Sequence, residues 1–203
     1  MDRTWSALIL TGGTSFRFGS DKSEAIFDGT TLIDFLIAAI PTDIPIVIVG
    51  PNRDNFSPAI QVIQEDPPGG GPAAGVAAGL PLVGSEYVAV LATDMPFSSD
   101  LVRLLLRNLS DEVDGVIVVD EEGFQQPFSG IYRTSTLAGV LGKIQPLTNR
   151  SMRSILTELN LIEVRLKADK SHLLLDIDTQ MDLIKAQSAI SVRASEIEES
   201  DNQ

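Results

Sequence analysis

The chain's 203 residues, 43% of them hydrophobic, suffice for one sizeable core, and no run approaches the ~20 apolar residues that a membrane-spanning helix needs. The 28 acidic residues against 15 basic give a formal net charge of −13, which repels nucleic acid and anionic membranes. The absence of cysteine excludes disulfides, thiolate zinc sites and a cysteine nucleophile. Met1–Ser6 carries two charges, and the apolar stretch after it runs straight into Thr-Gly-Gly, unlike a signal peptide. A soluble, cytoplasmic protein is expected.

Ser6–Leu10 is the first predicted strand. Leu32–Ala39 follows as a helix and Ile44–Val49 as an almost continuously apolar strand. Ile60–Ile63 is a weaker third strand, Gly75–Leu80 a helix and Tyr87–Ala92 the fourth strand. A helix is expected over Ser99–Asn108, with Ser98-Ser99-Asp100 supplying side chains that accept from its free N–H groups. Gly115–Val119 is the fifth strand, and Thr134–Lys143 and Ser151–Leu159 read as helices. Ile162–Leu166 and Leu173–Asp176 are expected as later strands, and Thr179 as the cap of a last helix reaching Ser188. Continuous apolar runs suit strands buried on both faces. Their alternation with helices predicts an α/β fold: a doubly wound, mainly parallel sheet with helices on both faces. One domain is expected over 1–192, and the acidic, Ser-rich end over 193–203 is expected to be disordered.

The chemistry concentrates where strands end. Leu10-Thr11-Gly12-Gly13-Thr14-Ser15-Phe16-Arg17-Phe18-Gly19-Ser20-Asp21-Lys22 directly follows the first strand. Its glycines permit close backbone approach to a ligand, and successive N–H groups there can form an anion nest. Arg17 can fork onto phosphate oxygens, and Lys22 adds a point charge. The spacing is neither that of the phosphate loop G-x-x-x-x-G-K-(S/T) nor that of G-x-G-x-x-G. Val90 to Pro96 is an apolar strand ending in one carboxylate, Asp94, placed either to hold Mg²⁺ or to cap a turn. Glu65 to Gly75 is a Gly/Pro-rich loop leading into a helix start that can face an anion. Asp176 and Asp178, at i and i+2, share one face of an extended segment. They read either as a further metal contact or as a strand end and helix cap. His172, the single histidine, has no partner pattern and reads as structural.

Leu10–Lys22 resembles the signature L-x-G-G-x-S-x-R-(M/F)-G-x-D-K of the MobA-like nucleotidyltransferases. The similarity continues in order: Asp66 with Gly71-Pro72-Ala73-Ala74-Gly75, then Thr93-Asp94-Met95-Pro96, Gln126-Pro127-Phe128 with Tyr132, Ser151 to Leu156, and Asp176 to Asp182. The resemblance implies a Rossmann-like fold of the nucleotide-diphospho-sugar transferase kind. It also implies transfer of a nucleotide from GTP, with Mg²⁺ as cofactor, onto a molybdopterin-type acceptor. A relative using CTP or another acceptor, and a catalytically silent nucleotide-binding regulator, are the alternatives. Leu10, Thr11, Gly12, Gly13, Lys22, Asn52, Asp66 and Asp94 would bind the nucleotide, with Arg17, Lys22 and Asp94 catalytic and Asp94 the metal ligand. Asp176 and Asp178 would lie on the acceptor side. Partners would be these small molecules and, transiently, proteins that insert the finished molybdenum cofactor. Thr11, Thr93 and Gln180 depart from the family's usual Ala, Cys or Ala, and Pro. Asp176 and Asp178 replace two asparagines, adding negative charge where an anionic acceptor is expected unless a cation intervenes.

Overall fold

The structure, a computed structural model, describes residues 3–11, 22–51 and 56–200; the side chains of Lys22 and of residues 191–200 fall outside that description. In chain order the elements are β1 (Trp5–Leu10), the hairpin strands β2 (Ile26–Phe27) and β3 (Thr30–Thr31), α1 (Leu32–Ala38), β4 (Ile46–Val49), β5 (Gln61–Ile63) and α2 (Pro72–Gly79). Then come β6 (Tyr87–Ala92), α3 (Val102–Asn108), β7 (Gly115–Val119), β8 (Gln125–Arg133), α4 (Thr134–Lys143), α5 (Met152–Leu156), β9 (Leu161–Arg165) and α6 (Gln180–Ser200).

Seven strands form one sheet in the order β5-β4-β1-β6-β8-β7-β9, parallel except for β8, which runs against both neighbours. The apolar runs explain the burial: β4 and β6 are buried at every position, as strands covered on both faces must be. Side chains alternate between two cores. Leu8 and Leu10 of β1 join Val76 of α2, Leu137 of α4 and Ile155 of α5. Ala7 and Ile9 face Ile33 and Leu36 of α1 and Val102 of α3, while Leu183 and Ala186 of α6 close the neighbouring cluster. Each fully buried Leu or Ile contributes about 1.5–3 kcal/mol through removal from water. The small residues of α2 let it approach the sheet closely. A Cβ at Gly79 would lie 2.7 Å from a Val49 methyl and 2.8 Å from a Leu8 methyl.

This is the doubly wound, mainly parallel architecture the alternating pattern predicts, with several local corrections. Leu173–Asp176 is not a strand: Ala168–Leu174 is a 3₁₀ helix. Its apolar positions serve burial rather than pairing, because Leu173 and, four residues on, Ile177 insert into the core beneath α6. The helix expected from Ser99 begins as a 3₁₀ turn, Ser98–Leu101, before α3. The Ser98 hydroxyl donates to the Met95 carbonyl (2.7 Å) instead of accepting from the helix. β8 was not among the expected strands, and its Pro127 and Gly130 are residues that strands disfavour. It forms because β6 and β7 both offer it pairing edges, and the register jump beside Ile117 accommodates Pro127. Thr179 does cap α6: its hydroxyl accepts from Asp182 N (3.3 Å), and the Asp182 carboxylate accepts from Thr179 N (3.0 Å). α6 is helical to Ser200, across residues where disorder was expected.

Candidate functional site

β1 and β6 are neighbours, yet the chain reaches β6 only after laying β4 and β5 on the opposite side of β1. The winding direction therefore reverses between them. In open α/β sheets the crevice beyond the carboxyl ends of strands at such a point is where ligands bind. Hydrogen bonds tie the strand ends together here. Thr93 N donates to the Leu10 carbonyl (3.1 Å), and both Thr11 N and the Thr11 hydroxyl donate to the Val49 carbonyl (2.9 and 3.1 Å). Leu10 and Thr11 are buried, so the Leu10 side chain serves the core and the Thr11 hydroxyl serves this staple. The predicted residues Gly12, Gly13, Arg17 and Asn52, and the side chain of Lys22, lie outside the described residues.

Asp94 follows β6 by two residues and is half-buried. Its carbonyl accepts from Ile177 N at 2.8 Å, which fastens the segment after the 3₁₀ helix across the end of β6. Ile177 is fully buried, while Asp176 and Asp178 on either side of it are exposed. The result is a group of three carboxylates, Asp94, Asp176 and Asp178, each with an oxygen within 4.8 Å of the others. The i, i+2 pair thus joins Asp94 rather than capping the last helix, a role taken by Thr179. Hard oxygen donors of this kind suit Mg²⁺ or Ca²⁺. Mg²⁺ sits about 2.0–2.1 Å from its ligands, which puts adjacent oxygens about 2.9 Å and opposed ones about 4.2 Å apart, so the three side chains would close in from separations of up to 4.8 Å to share one ion.

Asp66 lies elsewhere on the same edge. It follows β5, three strands from β6, and is exposed. At ~4.8 Å per strand the two carboxylates are separated by roughly 14 Å along the edge. Asp66 thus stands at one end of this edge of the sheet, with the carboxylate group near its middle.

On the far side of β6, β8 runs antiparallel, and its beginning lies at the edge where β6 stops. The fully buried Tyr132 donates its hydroxyl to the Pro127 carbonyl (2.9 Å), fixing the irregular start of β8. Burial raises the Tyr132 phenol far above its ordinary range, so it remains a donor. This is the physical content of the Gln-Pro-Phe…Tyr motif. Gln126 donates to Asp120 at the end of β7 (2.8 Å), and the Arg153 guanidinium lies 5.8 Å from the Phe124 ring centre. Asp120 was passed over in the sequence, although it stands after a predicted strand as Asp94 does. His172 is half-buried with its ring 6.3 Å from that of Phe97, a packing role consistent with the sequence reading. Among the described residues, no helix is long and apolar enough to cross a membrane.

A sequence model of the MobA-like NTP transferase domain matches residues 7–164. A Bacillus cereus protein named "Probable molybdenum cofactor guanylyltransferase" is 27% identical over 200 residues, covering 92% of this chain and 98% of its own length. A Bacillus anthracis protein of the same name is 26% identical with the same coverage. Among solved structures, the chain is similar to molybdopterin-guanine dinucleotide biosynthesis protein A from Archaeoglobus fulgidus (TM-score 0.72, 21% identity, 92% of this chain and 98% of that one). It is also similar to 4-diphosphocytidyl-2C-methyl-D-erythritol synthase from Anaerococcus prevotii (TM-score 0.67, 13% identity, 93% and 96%). These two share the fold.

Proposed function

The chain belongs to the MobA-like NTP transferase family and is a nucleotidyltransferase, and from that premise we propose that it transfers GMP from GTP to the phosphate of a molybdopterin-type acceptor, releasing pyrophosphate. The observation that carries the reading is that, at the sheet's reversal point, the end of β1 is bonded to the end of β6, beyond which three carboxylates gather. The curated relatives named for guanylyl transfer to molybdenum cofactor support the choice of nucleotide and acceptor.

In this reading Asp94, Asp176 and Asp178 hold Mg²⁺. When bound, the ion supplies charge neutralisation and polarisation of phosphoryl oxygens. The chain's own work is mainly positioning, as in phosphoryl-transfer chemistry generally. Arg17, Lys22 and the backbone of the Gly-rich segment bind the triphosphate, and Asp66, at the far end of the edge, receives the guanine N–H groups. A phosphate nucleophile has a second pKa of about 6 and is ionised near neutral pH, so the acceptor needs no general base. The test is a panel of GTP, CTP and ATP with Mg²⁺ and a molybdopterin-type acceptor, read by pyrophosphate release. Release with GTP supports the reading, and release with CTP alone overturns its nucleotide.

Two variants probe the nucleotide half. Lys22→Ala is expected to weaken GTP far more than GMP, because a single cation meets the β- and γ-phosphates that GMP lacks. Titration calorimetry with both ligands checks this, and equal losses count against it. Asp66→Ala is expected to erase the preference for GTP over ATP in a competition assay; an unchanged preference removes Asp66 from base selection.

A further inference from the structure

The segment Glu65–Gly71, which carries Asp66 into α2, is held from two sides. Inside the loop, the Glu65 carboxylate accepts from Gly69 N at 2.9 Å. From outside, Asn149 N donates to the Gly70 carbonyl at 2.8 Å. Gly71 has φ +91°, and a Cβ there would lie 3.6 Å from Asn149 N and Cα, so the two backbones run close together.

Asn149 makes that bond because of its own unusual backbone. Arg150 N donates to the Leu147 carbonyl at 3.0 Å, closing a turn in which Asn149 is the third residue with φ +59°. Asn and Gly are the residues that take this position readily. The turn is anchored on its far side. Ser151 caps α5, whose Met152, Ile155 and Leu156 pack in the same core cluster as Ala73 and Val76 of α2. Asn149 itself is exposed, so its importance does not derive from core packing.

We propose that Asn149 is a positioning residue: its left-handed backbone presents an N–H that straps the Asp66 loop in the conformation used for nucleotide binding. The nucleotide part rests on the proposed function; the strap itself does not. A strapped loop meets the base without first losing conformational freedom, and that advantage applies equally before and during the reaction.

The test compares Asn149→Val, whose branched side chain opposes positive φ, with Asn149→Gly, which accepts it and keeps the N–H. Two readouts are needed: amide exchange at Gly69 and residue 149, the two donors that hold the loop, and GTP affinity by titration with Mg²⁺. For Asn149→Val, faster exchange of these amides and a roughly tenfold weaker GTP affinity are expected, with the melting temperature close to wild type. Asn149→Gly is expected to restore both readouts to within about twofold of wild type. Unchanged exchange and affinity in Asn149→Val, or equal damage in Asn149→Gly, overturns the proposal. Should the wild-type chain bind no GTP, the functional reading falls, and the exchange comparison alone decides whether Asn149 straps the loop.

Discussion

Asp94→Ala is expected to lower magnesium-dependent pyrophosphate release by at least about 10³-fold, a loss in keeping with the several kcal/mol of transition-state stabilisation that a metal site supplies. The fold should survive. Asp94 holds the segment around Ile177 through its backbone carbonyl, which alanine keeps, and its carboxylate lies within 4.8 Å of two exposed ones. Circular dichroism and a melting curve check the fold, and a pyrophosphate assay at saturating Mg²⁺ checks the chemistry. Turnover within a few-fold of wild type would remove Asp94 from the mechanism. A GTP-binding chain that never releases pyrophosphate, with Asp94 intact, would instead favour a silent regulator.

The second large effect concerns Asp176 and Asp178. If these carboxylates share a cation with Asp94, then replacing both with alanine raises the Mg²⁺ concentration needed for half-maximal turnover by at least about tenfold. The same variant should lose most of the rise in melting temperature that Mg²⁺ gives the wild type, because a ligand stabilises the folded state in proportion to its affinity for it. The opposing role, contact with the acceptor, predicts a different pattern: an unaltered Mg²⁺ requirement and a raised KM for the acceptor. The comparison therefore separates the two roles directly. The individual Asp176→Asn and Asp178→Asn variants, which bring back the residues usual in the family, show which carboxylate carries the larger share.

Much of the architecture was legible because burial on both faces leaves a plain mark. Ile46–Val49 and Tyr87–Ala92 can hardly be anything but central strands. The strand β8 left no such mark, since its pairing is imposed by neighbours and its Pro127 and Gly130 serve a bulge and the Tyr132 ring. At the site, the sequence showed that Asp176 and Asp178 share a face, but not which partner they meet. That depends on one long-range hydrogen bond, Ile177 N to the Asp94 carbonyl, linking positions far apart in the chain. Asn149 was hidden for a similar reason: an Asn suits a positive-φ turn, but that its backbone N–H meets the distant Gly70 carbonyl is set by the fold.

The reversed strand β8 has a consequence for how such a scaffold diversifies. To one side of it, β5, β4, β1 and β6 end at the edge in a fixed staircase, each stapled to the next. On its other side the chain turns over at the tip between β7 and β8, a short hairpin crossing no other connection. Lengthening or recomposing that hairpin, from Asp120 to Gln126, changes the connection on this side of β8 without altering a crossover helix or the order of the four strands on the other side. Such edits leave Asp94, Asp176 and Asp178, which lie on other connections of the chain, untouched.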